Sequence, residues 1–267
     1  MDFEEIIYEK SDGIATITLN RQQRMNAFTS RMIDEWYAAL IDAHTDPDVR
    51  VVILTGSGRG FCAGADLAGG NVAGLLDRER SMVENRNFLR DSVQRIPRLA
   101  ALLEKPYIAA VNGAAVGAGM DMASMCDMRF AADSARFGMT YVRIGIVPGD
   151  GGAYYLPRIV GTARALDLIW SGRIFDAKEA LEMGYVSAVV PAEELMDYTR
   201  GYAARLAAGP AVAIQQAKRL VYRSQHVDAD AALDLAQQAM FITQSTEDAR
   251  EGPRAFVEKR EPQFKGR

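Results

Sequence analysis

The sequence predicts an α/β fold that ends in a helical region, and three observations support this prediction. Residues 51–54 and 107–111 form short, wholly apolar runs, which are typical of strands buried on both faces of a sheet. Helical apolar spacing separates these runs, as in layered α/β proteins. Only helical patterns follow residue 195. We therefore expect an α/β core over 1–195 and a C-terminal helical region over 196–267.

The N-terminal segment predicts a β-hairpin. Apolar residues alternate over 6–8 and again over 14–19, as they do in half-buried strands. Asp12 and Gly13 stand between the two runs, and this dipeptide is a strong signal for a tight hairpin turn. The two runs are therefore expected to pair antiparallel.

A helix is predicted next, over residues 29–43, with Thr29 or Ser30 as its N-cap. Its apolar residues recur at helical spacing; they are Met32, Ile33, Trp36, Leu40 and Ile41. A later strand is expected over 186–190. Helices follow it, with a break at Gly209 and Pro210.

The composition restricts the class of protein. The chain has 267 residues, of which 49% are hydrophobic and 25% charged, so a sizeable core is expected rather than disorder. A net charge of −4 argues against a basic nucleic-acid-binding surface. The acidic N-terminus lacks the pattern of a signal peptide, and no apolar run is long enough to predict a membrane span. Cys62 and Cys126 do not make a disulfide framework, so a cytoplasmic location is expected.

The common cofactor and nucleophile motifs are absent from the sequence. No complete dinucleotide fingerprint, phosphate-binding loop or nucleophile elbow occurs. The two histidines, His44 and His226, lie in surface-like helical stretches, which disfavours a histidine triad or a zinc site. We therefore expect neither a metal nor a resident cofactor.

Two turns rich in small residues, at 60–67 and 112–122, are the first candidates for chemistry. Each follows a buried strand, and small side chains allow a ligand to approach backbone N–H groups. Two such donors converging on one oxygen form an oxyanion hole, in which each donor contributes roughly 3–4 kcal/mol to a transition state. The alternative is close packing of helices against the sheet, for which glycine and alanine are equally suited.

Asp121 is the second candidate, because it stands in an apolar stretch with no basic neighbour in sequence. Burial of a carboxyl raises its pKa and suits it to proton transfer. The alternative is a partly exposed residue or a helix cap.

Several segments resemble the enoyl-CoA hydratase/isomerase, or crotonase, superfamily, in order, over about residues 6–265. They are residues 60–67, 105–113, 117–123, 125–127, 145–152, 156–161 and 177–186. The resemblance implies a crotonase-like spiral of ββα repeats and a C-terminal helical region that forms trimers, usually paired as hexamers. It implies a coenzyme A thioester as substrate, with no separate cofactor.

The resemblance also implies site residues. The oxyanion-hole donors would be the backbone N–H groups of Ala65 and Ala118. The phosphates of coenzyme A would contact the basic side chain of Arg24. Its adenine would contact the backbone of a short stretch, namely Ala63, Ala65, Asp66 and Leu67. Phe256 and Lys259 would reach the coenzyme A of a neighbouring subunit.

The chain departs from the pattern of the hydratases at the catalytic acids. Those enzymes use two glutamates, and here the first position holds Asp121 and the second Tyr141. Tyrosine, with a reference pKa near 10, is not a carboxylate base at neutral pH, although it can donate a hydrogen bond. Asp150 is a possible substitute, and its alternative interpretation is an N-cap of the following helix.

Three functions are the main candidates, and other reactions of the thioester enolate, such as thioester hydrolysis or retro-aldol cleavage, also remain open. A hydratase-type enzyme would use Asp121 with Tyr141 or Asp150 as its catalytic residues. A double-bond isomerase would need one acid, Asp121, to move a proton between two carbons. A non-catalytic CoA-binding paralogue is the third, suggested by the loss of the second glutamate.

Overall fold

The computed structural model describes residues 3–66 and 81–267. Its strands are β1 (Ile6–Ser11), β2 (Ile14–Leu19), β3 (Val51–Gly56), β4 (Gly60–Cys62), β5 (Tyr107–Val111), β6 (Ala114–Val116), β7 (Met128–Ala132), β8 (Arg136–Gly138), β9 (Phe175–Asp176) and β10 (Ala188–Val190). Its helices are α1 (Ser30–Thr45), α2 (Met82–Asp91), α3 (Arg95–Leu102), α4 (Ala118–Ser124), α5 (Gly152–Val160), α6 (Thr162–Ser171), α7 (Ala177–Glu182), α8 (Leu195–Ala207), α9 (Ala211–Ser224), α10 (Ala229–Gln244) and α11 (Asp248–Glu258).

The strands form two sheets, and from β3 to β8 consecutive strands alternate between them. One sheet has the order β1-β2-β3-β5-β7-β10 and the other the order β4-β6-β8-β9. The pairs β3–β4, β5–β6 and β7–β8 therefore each begin in the first sheet and end in the second. In the first sheet β3 pairs in parallel with β5, and β5 with β7. In the second sheet β4 pairs in parallel with β6, and β6 with β8. This repeated step confirms the predicted spiral of ββα units.

The predicted hairpin is confirmed. Strands β1 and β2 pair antiparallel with Ser11 opposite Ile14. Asp12 and Gly13 between them both have positive φ, 53° and 76°. That geometry suits a two-residue turn whose twist matches the flanking strands.

The two apolar runs are confirmed as central strands. Every residue of β3 and β5 is buried, and the strands pair in parallel. Helix α1 covers this region and is capped by Thr29, whose side chain accepts a hydrogen bond from the amide of Met32. Trp36 is fully buried and donates a hydrogen bond to the hydroxyl of Tyr107 over 3.1 Å, which fixes α1 against β5.

The C-terminal helices are confirmed, whereas the predicted strand over 186–190 is shorter, since β10 begins at Ala188. Helix α8 buries Leu195, Ala203 and Ala207 against the six-stranded sheet. Helices α9 and α10, by contrast, contain no buried residue. In the part of the chain that the structure describes, no helix combines the length and apolar character that a bilayer span requires.

Candidate active site

A cavity of about 370 Å³ opens where the two small-residue turns meet. The turns contribute Ala63, Gly64, Ala65, Val116, Gly117 and Ala118 to its wall. Three isoleucines make an apolar wall, namely Ile144, Ile146 and Ile174. Four polar side chains reach it, those of Thr140, Tyr141, Arg143 and Asp150. A largely apolar cavity with a few polar groups is the usual form of a small-molecule site.

In the first turn, Ala65 is held by a parallel bridge to Phe28. The amide of Phe28 donates to the carbonyl of Gly64 over 2.8 Å, and the carbonyl of Phe28 accepts from the amide of Asp66 over 3.0 Å. In a parallel bridge these bonds involve the neighbours of Ala65, so its own N–H points away from Phe28. Within 3–66 and 81–267, no backbone carbonyl outside regular elements accepts that N–H.

In the second turn, Ala118 is the first residue of α4. Gly117 has φ of 55° and donates its own amide to the carbonyl of Gly138 over 2.8 Å. The first amides of a helix have no partner inside it, so the Ala118 N–H is available at the cavity wall. A Cβ built on Gly64 would lie 3.4 Å from the Ala118 nitrogen, which shows that the two turns adjoin.

The alternative of close packing is also correct for part of this region. A Cβ on Gly119 would fall 1.9 Å from the carbonyl oxygen of Cys62, so no larger residue fits between α4 and β4. Glycine is required there by packing, whereas Ala65 and Ala118 both line the cavity. The same small-residue stretch therefore serves packing on one side and the cavity on the other.

Asp121, Tyr141 and Asp150 form one buried cluster beside the cavity. The Tyr141 hydroxyl donates to Asp121 Oδ2 over 2.7 Å and lies 3.3 Å from Asp150 Oδ2. The backbone amide of Asp150 donates to Asp121 Oδ2 over 3.3 Å. Asp121 is fully buried, and the exposed fractions of Asp150 and Tyr141 are 3% and 8%. Tyr141 and Asp150 line the cavity, and Asp121 lies behind them.

The cluster retains protons that ordinary carboxyl groups lose. Burial, and then the charge of nearby Asp150, raise the pKa of Asp121 to about 8. Burial raises the pKa of Asp150 to about 6, against the opposing hydrogen bond from Tyr141. Burial and the two carboxylates raise the pKa of Tyr141 well above its usual range. Near neutral pH the pair therefore retains about one proton, and Asp121, which is fully buried behind the cavity wall, is its favoured holder.

Two alternative interpretations of the acids are wrong. Helix α5 begins at Gly152, its N-cap is Gly151, and no side chain caps it, so Asp150 is not a capping residue. Asp121 is neither exposed nor a cap, because it is buried inside α4. Oδ1 of Asp121 and Oδ1 of Asp150 are buried without a hydrogen-bond partner in the described structure.

The predicted coenzyme A residues lie in different places. Ala63 and Ala65 line the cavity, and Asp66 is buried in an ion pair with Arg21 at 2.9 Å. Leu67 lies outside the described residues. Arg24 is exposed in a short 3₁₀ turn and is not part of the cavity wall.

Phe256 and Lys259 lie elsewhere, at the end of α11. Phe256 is 86% exposed, and neither residue contributes to the cavity of its own chain.

Sequence reasoning missed five residues of the cavity wall and one of its supports; the five are Thr140, Arg143, Ile144, Ile146 and Ile174. Arg143 follows Tyr141 by two positions, and a cation in an otherwise apolar segment was a usable signal. Thr140 and Ile174 gave no such signal. Ile174 in particular belongs to a part of the chain that is distant in sequence from the other wall residues. Arg21 supports the first turn through Asp66, and its ion pair was not visible in the sequence.

Comparison with known proteins agrees with this architecture. The family model for enoyl-CoA hydratase/isomerase matches residues 9–267. A crotonyl-CoA hydratase of Syntrophomonas wolfei is 37% identical over 265 residues, covering 99% of both chains. A 1,2-epoxyphenylacetyl-CoA isomerase of Escherichia coli is 36% identical over 264 residues, again covering 99% of both.

A solved structure shows the same fold. The crystal structure of an enoyl-CoA hydratase from Bacillus anthracis superposes with a TM-score of 0.91 at 34% identity, covering 99% of this chain and all of that one. Sequence and structure thus match over the full length rather than over a single motif. This chain belongs to the enoyl-CoA hydratase/isomerase family.

Proposed function

We propose that this chain acts on acyl-CoA thioesters as a hydratase-type enzyme, and that it stabilises an enolate between the backbone amides of Ala65 and Ala118. The two amides border one cavity, and neither is engaged by the bridge or helix around it. Donors fixed before the reaction stabilise developing negative charge without reorganisation. No cofactor is needed for this chemistry, because the thioester carbonyl itself receives the charge.

The observation that supports hydration is a pair of buried carboxyl groups, those of Asp121 and Asp150, which both contact the hydroxyl of Tyr141 beside the cavity. Water addition needs a base to take a proton from water and an acid to protonate the α-carbon. Asp150 supplies the ionised carboxylate and Asp121 the protonated carboxyl near neutral pH. Pairs of titratable groups whose environments separate their pKa values are the usual mark of acid and base roles.

Double-bond isomerisation is the second candidate, and one observation favours it. Of the two acids, only Asp150 lines the cavity, so only one carboxyl can meet the substrate directly. A single carboxyl suffices to move a proton between the α- and γ-carbons. This alternative therefore replaces Asp121 by Asp150 as the single acid/base.

A non-catalytic role is less well supported. Burying two carboxyl groups is costly unless something is gained, and here Oδ1 of each lacks a hydrogen-bond partner in the described structure. A protein that only bound CoA would have no need of them.

Parallel assays of 2-enoyl-CoA hydration and 3-enoyl-CoA isomerisation test the proposal. We expect the wild type to hydrate crotonyl-CoA, and Asp150→Asn to lose about 100-fold or more in kcat, as for other acid–base residues. Isomerisation without hydration would favour the second candidate. Binding of acyl-CoA with no turnover of either substrate would contradict both and support a binding role.

We propose that coenzyme A follows the first turn, through the backbone of Ala63, Ala65, Asp66 and Leu67. The positive charge of Arg24 suits it to the phosphates, since cationic side chains pair well with phosphate oxygens. Lys259 and Phe256 would reach the coenzyme of a neighbouring subunit.

That arrangement requires an assembly, and we propose a homotrimer, or a hexamer of two trimers, built through residues 196–267. The exposed apolar side chains of α10 and α11 support it; they include Leu233, Met240, Phe241, Phe256 and Val257. Contiguous exposed apolar residues on a soluble protein mark interaction surfaces. Cys62 and Cys126 are buried and unpaired, which suits a reducing compartment such as the cytoplasm.

A further inference from the structure

Tyr141 is the only link between Asp121 and the cavity among the described side chains that bond to Asp121. Its hydroxyl contacts Asp121 on one side, at 2.7 Å, and Asp150 on the other, at 3.3 Å. Asp121 itself is fully buried and absent from the cavity wall. A proton held by Asp121 thus has one short route to a bound substrate, through the oxygen of Tyr141.

We propose that Tyr141 delivers the α-proton during hydration, that Asp121 is the proton source behind it, and that Asp150 receives the proton of the attacking water. This proposal rests on the hydratase function proposed above and assigns the role of the missing second glutamate to a tyrosine-bridged pair. Asp150 and Tyr141 meet the substrate and are catalytic residues. Asp121 acts through Tyr141 and is a positioning residue.

The atoms balance in the forward step. Water forms its C–O bond at the β-carbon while its proton passes to Asp150 Oδ2. The electron pair of the double bond moves to the thioester enolate, whose oxygen is held by the Ala65 and Ala118 amides. Collapse of the enolate breaks the Tyr141 O–H bond and forms the C–H bond at the α-carbon. For this step the Tyr141 hydrogen turns from Asp121 Oδ2 toward the α-carbon, and the proton of Asp121 then passes to the Tyr141 oxygen and replaces the one that Tyr141 gives up.

The same contacts return the cluster to its starting state. After product forms, Asp150 is protonated and Asp121 is ionised. A proton then moves from Asp150 to the Tyr141 oxygen as the Tyr141 proton moves to Asp121. The buried cluster is then ready for the next turnover.

The surroundings suit a neutral relay. Burial holds the pKa of Tyr141 well above its usual range, so its phenol stays protonated at rest. The other titratable groups that interact with the cluster are Cys62 of β4 and Tyr185 before β10, both buried with raised pKa values. Within the described structure, no lysine or arginine forms an ion pair with Asp121 or Asp150. Arg143 also lines the cavity. The pair therefore carries about one proton with no described cation in an ion pair with either carboxyl.

The experiment compares Tyr141→Phe, Asp121→Asn and Asp121→Glu with the wild type in crotonyl-CoA hydration. Phenylalanine keeps the ring and removes the relay oxygen, and asparagine keeps the size and removes the proton. We expect both to lower kcat about 100-fold or more with KM within about threefold. Asp121→Glu should recover part of kcat. Tyr8→Phe is the matched control, because Tyr8 donates to Asp42 over 2.7 Å away from the cavity.

The pH profile separates a proton source from a structural support. The wild-type kcat should decrease as the pH rises through an apparent pKa near 8. This alkaline decrease should be absent in Asp121→Asn. In D2O, the Tyr141→Phe variant should incorporate deuterium at the α-carbon of the hydroxyacyl-CoA product more slowly than the wild type does. Variants that keep both kcat and the alkaline limb would overturn the relay while leaving the hydratase intact. A wild type without hydration would overturn both proposals.

Discussion

Gly152 and Asp121 are in contact so close that no side chain fits between them. A Cβ built on Gly152 would lie 2.0 Å from Asp121 Oδ1 and 2.8 Å from its carboxyl carbon. Helix α5 begins at this glycine, and α4 carries the aspartate. The start of α5 therefore fixes the position of a buried carboxyl that belongs to another helix.

Gly152→Ala is expected to displace that carboxyl and to disturb its bond to Tyr141. Overpacking a buried site costs about 1–3 kcal/mol of stability. A displacement of about 1 Å in a reacting group lowers turnover by about 100-fold. Urea unfolding and steady-state kinetics measure the two effects. Gly149→Ala is the matched control, because its Cβ would meet only Leu89, at an ordinary 3.6 Å; equal losses in both variants would contradict the assignment.

Ala118→Pro is expected to remove one oxyanion-hole donor while keeping α4. Proline is well accepted at the first position of a helix, where its missing N–H has no helical partner. Loss of one such donor costs about 100- to 1,000-fold in kcat. Thr162→Pro makes the same change at the first residue of α6, away from the cavity, and should leave kcat within about twofold. A folded Ala118→Pro variant with normal turnover would exclude this amide from the mechanism.

The parts of the fold that were predictable depend on local signals. The hairpin follows from Asp12 and Gly13, and the buried strands from their unbroken apolar composition. The second sheet was not predictable, because β4, β6 and β8 have three residues each and show no periodicity. Their pairing is created by the spiral itself.

In the candidate site, too, the single residues were predictable from the sequence and their contacts were not. Asp121, Tyr141 and Asp150 were identified as candidates one by one, from an unusual acid and from departures from a family pattern. Their mutual contacts were not, since 20 residues separate Asp121 from Tyr141. The intervening β7–β8 step turns the chain back, and only the three-dimensional structure shows that the tyrosine lies between the acids.

Stability should decrease as the pH rises from about 4 to about 8. Asp121 and Asp150 have raised pKa values, so the folded chain binds protons that the unfolded chain releases. A carboxyl group whose pKa is raised in the folded state contributes its full stabilisation below the pKa of the unfolded chain. That contribution is lost progressively as the pH rises from the unfolded-state pKa to the folded-state pKa.

For Asp121 the slope reaches about 1.4 kcal/mol per pH unit at most. Asp121→Asn removes one titrating group, and its unfolding free energy should therefore decline less steeply over this window. Chemical denaturation at several pH values measures both slopes, with Asp133→Asn, an exposed site, as control. Parallel slopes in wild type and Asp121→Asn would contradict the raised pKa.

Phe241→Asp is expected to break the assembly. Phe241 lies on α10 and is 72% exposed, which is unfavourable for a large aromatic side chain unless a partner covers it. A buried charge without a partner is costly, so the variant should sediment as a monomer where the wild type sediments as three or six chains. Leu102→Asp changes a residue of α3 that is 69% exposed, outside the C-terminal region, and should leave the assembly intact.

If coenzyme A is shared between subunits through Phe256 and Lys259, the dissociated variant will also bind acyl-CoA more weakly. An unchanged affinity for acyl-CoA would show instead that the coenzyme is bound within one chain.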